Sequence, residues 1–375
     1  MLQLEKSQGL NVLKHYDWFL VLCVIALNAF GMIMIISVTN QINSPQSLIK
    51  QAIGIVGGGI AMVILSLLDY KDLKILGFAA YGFTTLLLVL VLIIGKGAEE
   101  TGTKGWLDLG LFTYQPSEVG KVTFVVMNAL YLENIVMKTG KYNYLKLIFF
   151  TAVPIFLVML QPDFGTSLVY VFIFLVMVFF AGIPYKYIFV GIGTAIGGLL
   201  LVYFTGLYQL LPGYMKNRFT SFFNKDTDPL GINYQVNQAV QYAGSGQLWG
   251  RGWGNGLAAE TVPEAQTDFM FSVVAEELGF FGAAALIILF LVFFSRCIYI
   301  AWYSSERYGA YIVMGLVAMM FAHFLENIGM NIGLLPVTGI PLPFISYGVS
   351  SVTTNLVAVG IILSISLRKR RPMFE

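Results

Sequence analysis

The sequence predicts an all-α polytopic membrane protein of about ten transmembrane helices, with a large extracytoplasmic loop between helices 7 and 8. Three observations predict it. Hydrophobic residues make up 57% of the 375 positions. Charged residues make up only 11%, and the mean hydropathy is +0.78. One water-soluble core cannot hide that much apolar surface. A span needs about 20 mostly apolar residues, because in hydrocarbon the backbone must satisfy its own hydrogen bonds.

Ten such runs are expected: 17–38, 48–68, 74–94, 116–135, 145–160, 164–182, 187–206, 269–295, 309–332 and 347–367. The first follows a short polar segment without a small-residue cleavage site, so it reads as a retained anchor. Placing both termini in the cytoplasm puts 14 of the 22 Lys and Arg residues inside, in accord with the positive-inside rule. The basic tail Arg368–Arg371 then serves as a topology anchor. The chain is expected to form one integral membrane domain over 1–375, with 207–268 as a long extracytoplasmic loop within it.

The small residues Gly54 and Gly58, and again Gly193 and Gly197, recur one turn apart and are expected to let helices approach closely. Cys23 and Cys297 fall near cytoplasmic membrane ends, and no disulfide is expected. The outward segments 95–115, 207–268 and 333–346 are rich in Gly, Pro and polar residues, so function is sought there. With only His15 and His323, neither a zinc cluster nor a Ser-His-Asp arrangement can be drawn. The cluster GRGWGNG at 250–256 lacks the strand-helix context of a nucleotide fingerprint.

In TYQPSEVGK, residues 113–121, Pro116 suits the first position of a helix and Glu118 its first turn. Lys121 follows at i+3, where it pairs with Glu118 or offers its ammonium to an anionic headgroup. In VPEAQTDFMFSVVAEELG, residues 262–279, Glu264 and Asp268 are four apart where the eighth span begins. They read either as an acidic cap or as a carboxylate that takes a proton from a hydroxyl nucleophile. Glu276 and Glu277 are expected two to three turns deeper, with at least one paired. Asp163, in QPDFG, reads as a turn residue. The three prolines of GLLPVTGIPLPFISYG, residues 333–348, describe a re-entrant connection, which persists only against protein or a water-filled cavity. His323 and Glu326 are three apart within the ninth span.

Together WLDLGLFTYQPSEVGK, QPDFGTS, DPLGINYQ, PEAQTDFMFSVVAEELG and LLPVTGIPLPFISYG resemble the SEDS family (shape, elongation, division and sporulation) of bacterial cell-wall polymerases. ENIGMNIGLLPVTGIPLPF is more similar to its RodA-like elongation branch than to its division branch, with the sporulation branch left open. The resemblance implies a peptidoglycan glycosyltransferase of the cytoplasmic membrane. Such an enzyme polymerises lipid II at the outer face and releases undecaprenyl diphosphate, beside a class B penicillin-binding protein. Asp268 is then the catalytic residue, and Lys121, Glu118, Lys104, Gln115 and Glu264 are substrate-binding. Asp268 and Lys121 are expected to face one another across one outer cavity. No metal ligand, nucleic-acid partner or certain cofactor is implied, and a divalent cation is left open. Three departures from the family pattern stand out: Gly105 with Lys104 one residue earlier, where relatives carry Arg before the Trp, Gln266 in place of His, and Val349 in place of Gly. A flippase of lipid-linked precursor and a non-catalytic scaffold are the rival readings.

Overall fold

The computed structural model describes residues 16–97, 103–108, 110, 113–140, 143–184, 186, 205 and 232–368. Nine long apolar helices lie among them: α1 (Trp18–Ile42), α2 (Pro45–Leu67), α3 (Leu73–Ile94), α4 (Pro116–Val136), α5 (Asn143–Leu160) and α6 (Phe164–Phe180). After α7 (Ile232–Ser245) and the four-residue α8 (Ala258–Thr261) come α9 (Met270–Trp302), α10 (Arg307–Asn331) and α11 (Val349–Leu367). The chain is a polytopic membrane protein, with eight of these helices long and apolar enough to cross a bilayer and α6 slightly shorter. The expected seventh span at 187–206, all but residue 205, and loop residues 207–231 lie outside the described residues, as do Gly193 and Gly197.

Helix ends follow local chemistry. Asp17 caps α1 by accepting the Leu20 amide at 3.1 Å. Asp163 caps α6 by accepting the Thr166 amide at 3.0 Å, which is the turn role its position announced. Pro45 and Pro116 open α2 and α4, where a missing N–H costs nothing. A two-stranded hairpin, β1 (Leu107–Asp108) with β2 (Thr113–Tyr114), leads into α4.

The centre of the bundle is α4, α10 and α11, which bury most of their residues; α2, α3 and α5 bury less than a third of theirs. The most extensive helix contact is α2 with α11. There Gly54 and Gly58 are the small residues expected, since a Cβ on Gly58 would come within 2.8 Å of Leu356 and 3.0 Å of Thr353 Cα. Gly31 of α1 is tighter still. A Cβ there would strike the Phe344 carbonyl oxygen and lie 2.8 Å from Ile345 Cα, both backbone atoms that cannot rotate away. Gly31→Ala is therefore expected to destabilise the protein by about 1–3 kcal/mol through overpacking, read as an earlier thermal transition in detergent. An unchanged transition would show that the 344–345 segment yields freely.

α1 and α9 run antiparallel, pinned at both ends. At one end Arg296 grips Asp17 through two nitrogens, at 3.0 and 2.8 Å. At the other, Glu277 accepts from Ser37 at 2.6 Å and from Gln41 at 2.9 Å. Glu276 and Glu277 are thus level with the last turns of α1. At Gly279 φ is 68° and ψ −168°, so the helix is broken just beyond them. Both carboxylates are fully buried and both are partnered. Charged groups Asp69, Lys71, Lys74, Glu133, Glu306 and Arg368 gather at the Asp17 end. There the Lys71 ammonium, 2.6 Å from Glu306, holds the Glu306 carboxyl below its usual range. Cys23 and Cys297 are buried, free thiols.

Candidate functional site

At the bundle end that carries Ser37 and Gln41, a cavity of about 350 Å³ is lined by the hairpin, the start of α2, the segment before α9, the re-entrant connection and the start of α11. Each wall is fixed by hydrogen bonds to another. Gln51 of α2 donates to the Ser346 carbonyl at 3.3 Å and accepts the Gly348 amide at 3.0 Å. The Tyr347 amide donates to the Gln266 carbonyl at 2.8 Å. Ser350 of α11 accepts the Gln115 amide at 3.2 Å and donates to the Thr113 carbonyl at 3.3 Å. Residues 333–348 therefore do line a cavity, the condition under which irregular backbone survives at membrane depth.

Asp268 opens into this cavity. Its backbone is clamped from below: the carbonyl accepts from Asn327 at 2.8 Å and from Asn331 at 2.9 Å. Asn327 also donates to the Ile340 carbonyl at 2.8 Å, so one amide ties the acidic segment to the re-entrant one. The carboxylate lies beside Gly339, whose φ of 72° and missing side chain leave it room; a Cβ there would sit 3.4 Å from Asp268 Oδ2. Gln115 also lines the cavity, and its amide approaches Asp163 at 3.4 Å. Asp163 is almost fully buried, which pushes its carboxyl above the usual range.

Lys121 is elsewhere. It is fully buried beneath the cavity, 2.7 Å from Glu118 and 2.6 Å from His323 Nε2. An ammonium has no lone pair, so His323 accepts through Nε2 and its ring is neutral. Of the two readings the spacing allowed, the i,i+3 pair with Glu118 is the one the fold realises, and direct contact with a ligand in the cavity would require breaking both bonds. Asp268 and Lys121 do not share the cavity wall as expected, because the first turn of α4 presents Gln115 to the cavity and turns Lys121 toward α10. Lys104 is also turned away, donating to the carbonyls of Leu92 at 3.2 Å and Ile93 at 3.1 Å at the end of α3. A lysine is drawn there by the unpaired carbonyls of a helix C-terminus. Glu264 is exposed outside the cavity with φ 57° and accepts from Thr267 at 2.9 Å. Val349 opens α11 with a helical backbone, so the strain expected from replacing a glycine does not arise.

Lys50 lines the cavity, and sequence reasoning missed it. A lone lysine in the second turn of a span reads as an interfacial residue, and the only clue was its place directly before Gln51. It bears on Asp108 across the cavity. The Asp108 carboxyl is held below its usual range first by the Lys96 ammonium at 2.8 Å and then by the Gly110 amide, with Lys50 adding to both. Among the described residues, no group of three or more His, Cys, Asp or Glu side chains converges as a metal site.

A family profile described as cell cycle protein, covering FtsW, RodA and SpoVE, matches residues 17–371. The chain belongs to the FtsW/RodA/SpoVE family. Among family members, stage V sporulation protein E of Bacillus subtilis is 35% identical over 94% of this chain and 98% of its own length. Peptidoglycan glycosyltransferase MrdB of Escherichia coli is 31% identical over 95% of both chains. A solved structure titled as the structural coordination of polymerization and crosslinking by a peptidoglycan synthase complex superposes with a TM-score of 0.78. It is 28% identical and covers 94% of this chain and 97% of its own. The crystal structure of the rod shape determining protein RodA of Thermus thermophilus gives 0.69 at 27% identity, over 95% and 98% of the two chains. The family relatives thus include a sporulation protein and proteins named peptidoglycan glycosyltransferase MrdB and RodA and probable peptidoglycan glycosyltransferase FtsW.

Proposed function

We propose that this chain is a peptidoglycan glycosyltransferase that polymerises lipid II at the outer face of the cytoplasmic membrane and releases undecaprenyl diphosphate. The observation that carries the proposal is the Asp268 carboxylate, held by its backbone beside a lysine and the first turn of a helix in one cavity. The Lys and Arg distribution supports placing this cavity on the extracytoplasmic side with both termini in the cytoplasm.

In the reaction, Asp268 accepts the proton of an acceptor sugar hydroxyl as that oxygen attacks the anomeric carbon of the donor. The new C–O bond forms as the bond to the diphosphate breaks, and the diphosphate leaves with the electron pair. Lys50 and the positive end of the α11 dipole, where Ser350 and Ser351 line the cavity, stabilise the charge that develops on it. The residue first assigned that part, Lys121, instead holds the floor with Glu118 and His323, and Gln115 transmits that floor to the cavity. A class B penicillin-binding protein is the proposed partner, in keeping with the likeness of this fold to a chain of a peptidoglycan synthase complex that coordinates polymerization and crosslinking.

The decisive experiment incubates the purified protein, alone and with candidate class B partners, with labelled lipid II and resolves the products by length. Long glycan strands are expected; lipid-linked substrate left intact under every pairing sinks the reading in favour of a scaffold, and vesicle translocation without polymerisation in favour of a flippase. In the same assay Lys50→Met is expected to lower kcat/KM about 10–100-fold, as loss of a charge-assisted contact of about 1.5–3 kcal/mol requires. An unchanged kcat/KM removes Lys50 from the diphosphate site.

A further inference from the structure

A helix broken at Gly279 frees carbonyls before the break and amides after it. Residues 246–252 supply partners for both. The amides of Arg251 and Gly252 donate to the carbonyls of Glu276 and Glu277 at 2.9 and 3.0 Å. The amides of Phe280 and Phe281 donate to the carbonyls of Gln247 and Leu248 at 2.8 and 3.3 Å. The two buried carboxylates add further ties. Glu276 accepts the amides of Leu257 and Ala258 at 3.0 and 2.8 Å, and Glu277 accepts that of Gly254 at 3.2 Å. Polar groups of the loop are thereby consumed inward, and its large apolar side chains face outward. Trp249 is 79% exposed, Leu248 55% and Trp253 48%, beside Phe280 at 60% and Phe281 at 50%.

Depth decides what covers these side chains. Trp253 donates its indole N–H to the Ile33 carbonyl at 3.1 Å. Ile33 lies roughly 22 Å along α1 from Trp18, within a hydrocarbon core of about 30 Å. Arg296 marks the opposite boundary through its bond to Asp17. The Trp249 ring stands 4.8 Å from Phe281, so the patch runs without interruption into the lipid-facing row of α9 at Ile288 and Leu291. Indole rings, apolar with a single N–H, favour the membrane–water interface.

We propose that residues 247–257 form a lipid-interface anchor, with Leu248, Trp249 and Trp253 seated among the phospholipids at the rim of the bilayer core. The occupant is lipid because the patch continues a surface that lipid already covers. The anchor is stitched to residues 276–281 of α9, the helix that starts just after Asp268, so it sets the height of that carboxylate above the bilayer.

The test uses the full chain in nanodiscs of phosphatidylcholine and phosphatidylglycerol. Both native thiols are buried, so a nitroxide attached at Trp249→Cys reports that position alone, and Leu248→Cys serves as a second variant should the first fail to fold. Collisional relaxation by oxygen is expected to exceed that by a water-soluble nickel chelate several-fold. Equal or greater access by the nickel chelate would place the loop in water and overturn the proposal. Protection from both reagents, which means the patch is covered by protein, would overturn it equally.

Discussion

Asp268→Asn is expected to lower lipid II polymerisation by about 10²–10⁴-fold, the range that a positioned general base contributes, while leaving the protein folded. The separation of the two outcomes comes from how the residue is held. Its backbone is held on both sides, with the amide donating to the Glu264 carbonyl at 3.0 Å and the carbonyl accepting from Asn327 and Asn331. An asparagine keeps these backbone bonds and loses the capacity to take a proton. The cavity beside Gly339 accepts an amide of the same size. Product length on gels and the thermal transition of the same sample check both halves. Full polymerisation by Asp268→Asn removes Asp268 from the chemistry. A parallel loss of the folded transition would make the residue structural instead.

How much of this was legible in the sequence depends on the range over which each feature is decided. Helix existence is local: the expected 17–38, 116–135 and 309–332 became Trp18–Ile42, Pro116–Val136 and Arg307–Asn331. Capping was equally local, as at Asp163. The re-entrant segment was also readable, because three prolines among apolar residues leave no regular way through a bilayer. Gly279 was not readable. A lone glycine inside a helical run is tolerated and does not by itself announce a break, and the groups that satisfy this one come from residues 246–252, far along the chain.

The site divided along the same line. Asp268 was expected at an outer cavity and lines one, and Gln115, named only as substrate-binding, lines the same cavity. Lys104 and Glu264 were assigned by position in a motif, and their side chains satisfy nearby backbone and hydroxyl groups instead. Lys121 needed a partner from 202 residues away to be placed. Spacing within a helix says which side chains are neighbours but not toward which other helix they turn.

That burial makes the second prediction. Glu118→Gln and Lys121→Met are each expected to destabilise the protein by about 3–5 kcal/mol, the cost of leaving one charge of a buried pair uncompensated. The side chains are 6% and 1% exposed, so solvent neither screens the pair nor rescues the survivor. In Lys121→Met the remaining carboxylate has lost its only ammonium at contact distance, and in Glu118→Gln the ammonium retains His323 Nε2 at 2.6 Å but no counter-charge at contact. The double variant removes both charges and is expected to be less destabilised than the sum of the singles, because a buried pair replaced as a unit leaves nothing unpaired. Thermal unfolding in detergent of the four proteins closes the cycle. Additive losses would show that Glu118 and Lys121 act independently. A Lys121→Met protein of full stability and no polymerisation would return Lys121 to the substrate, since only a group that touches the diphosphate is silent in folding and essential in catalysis.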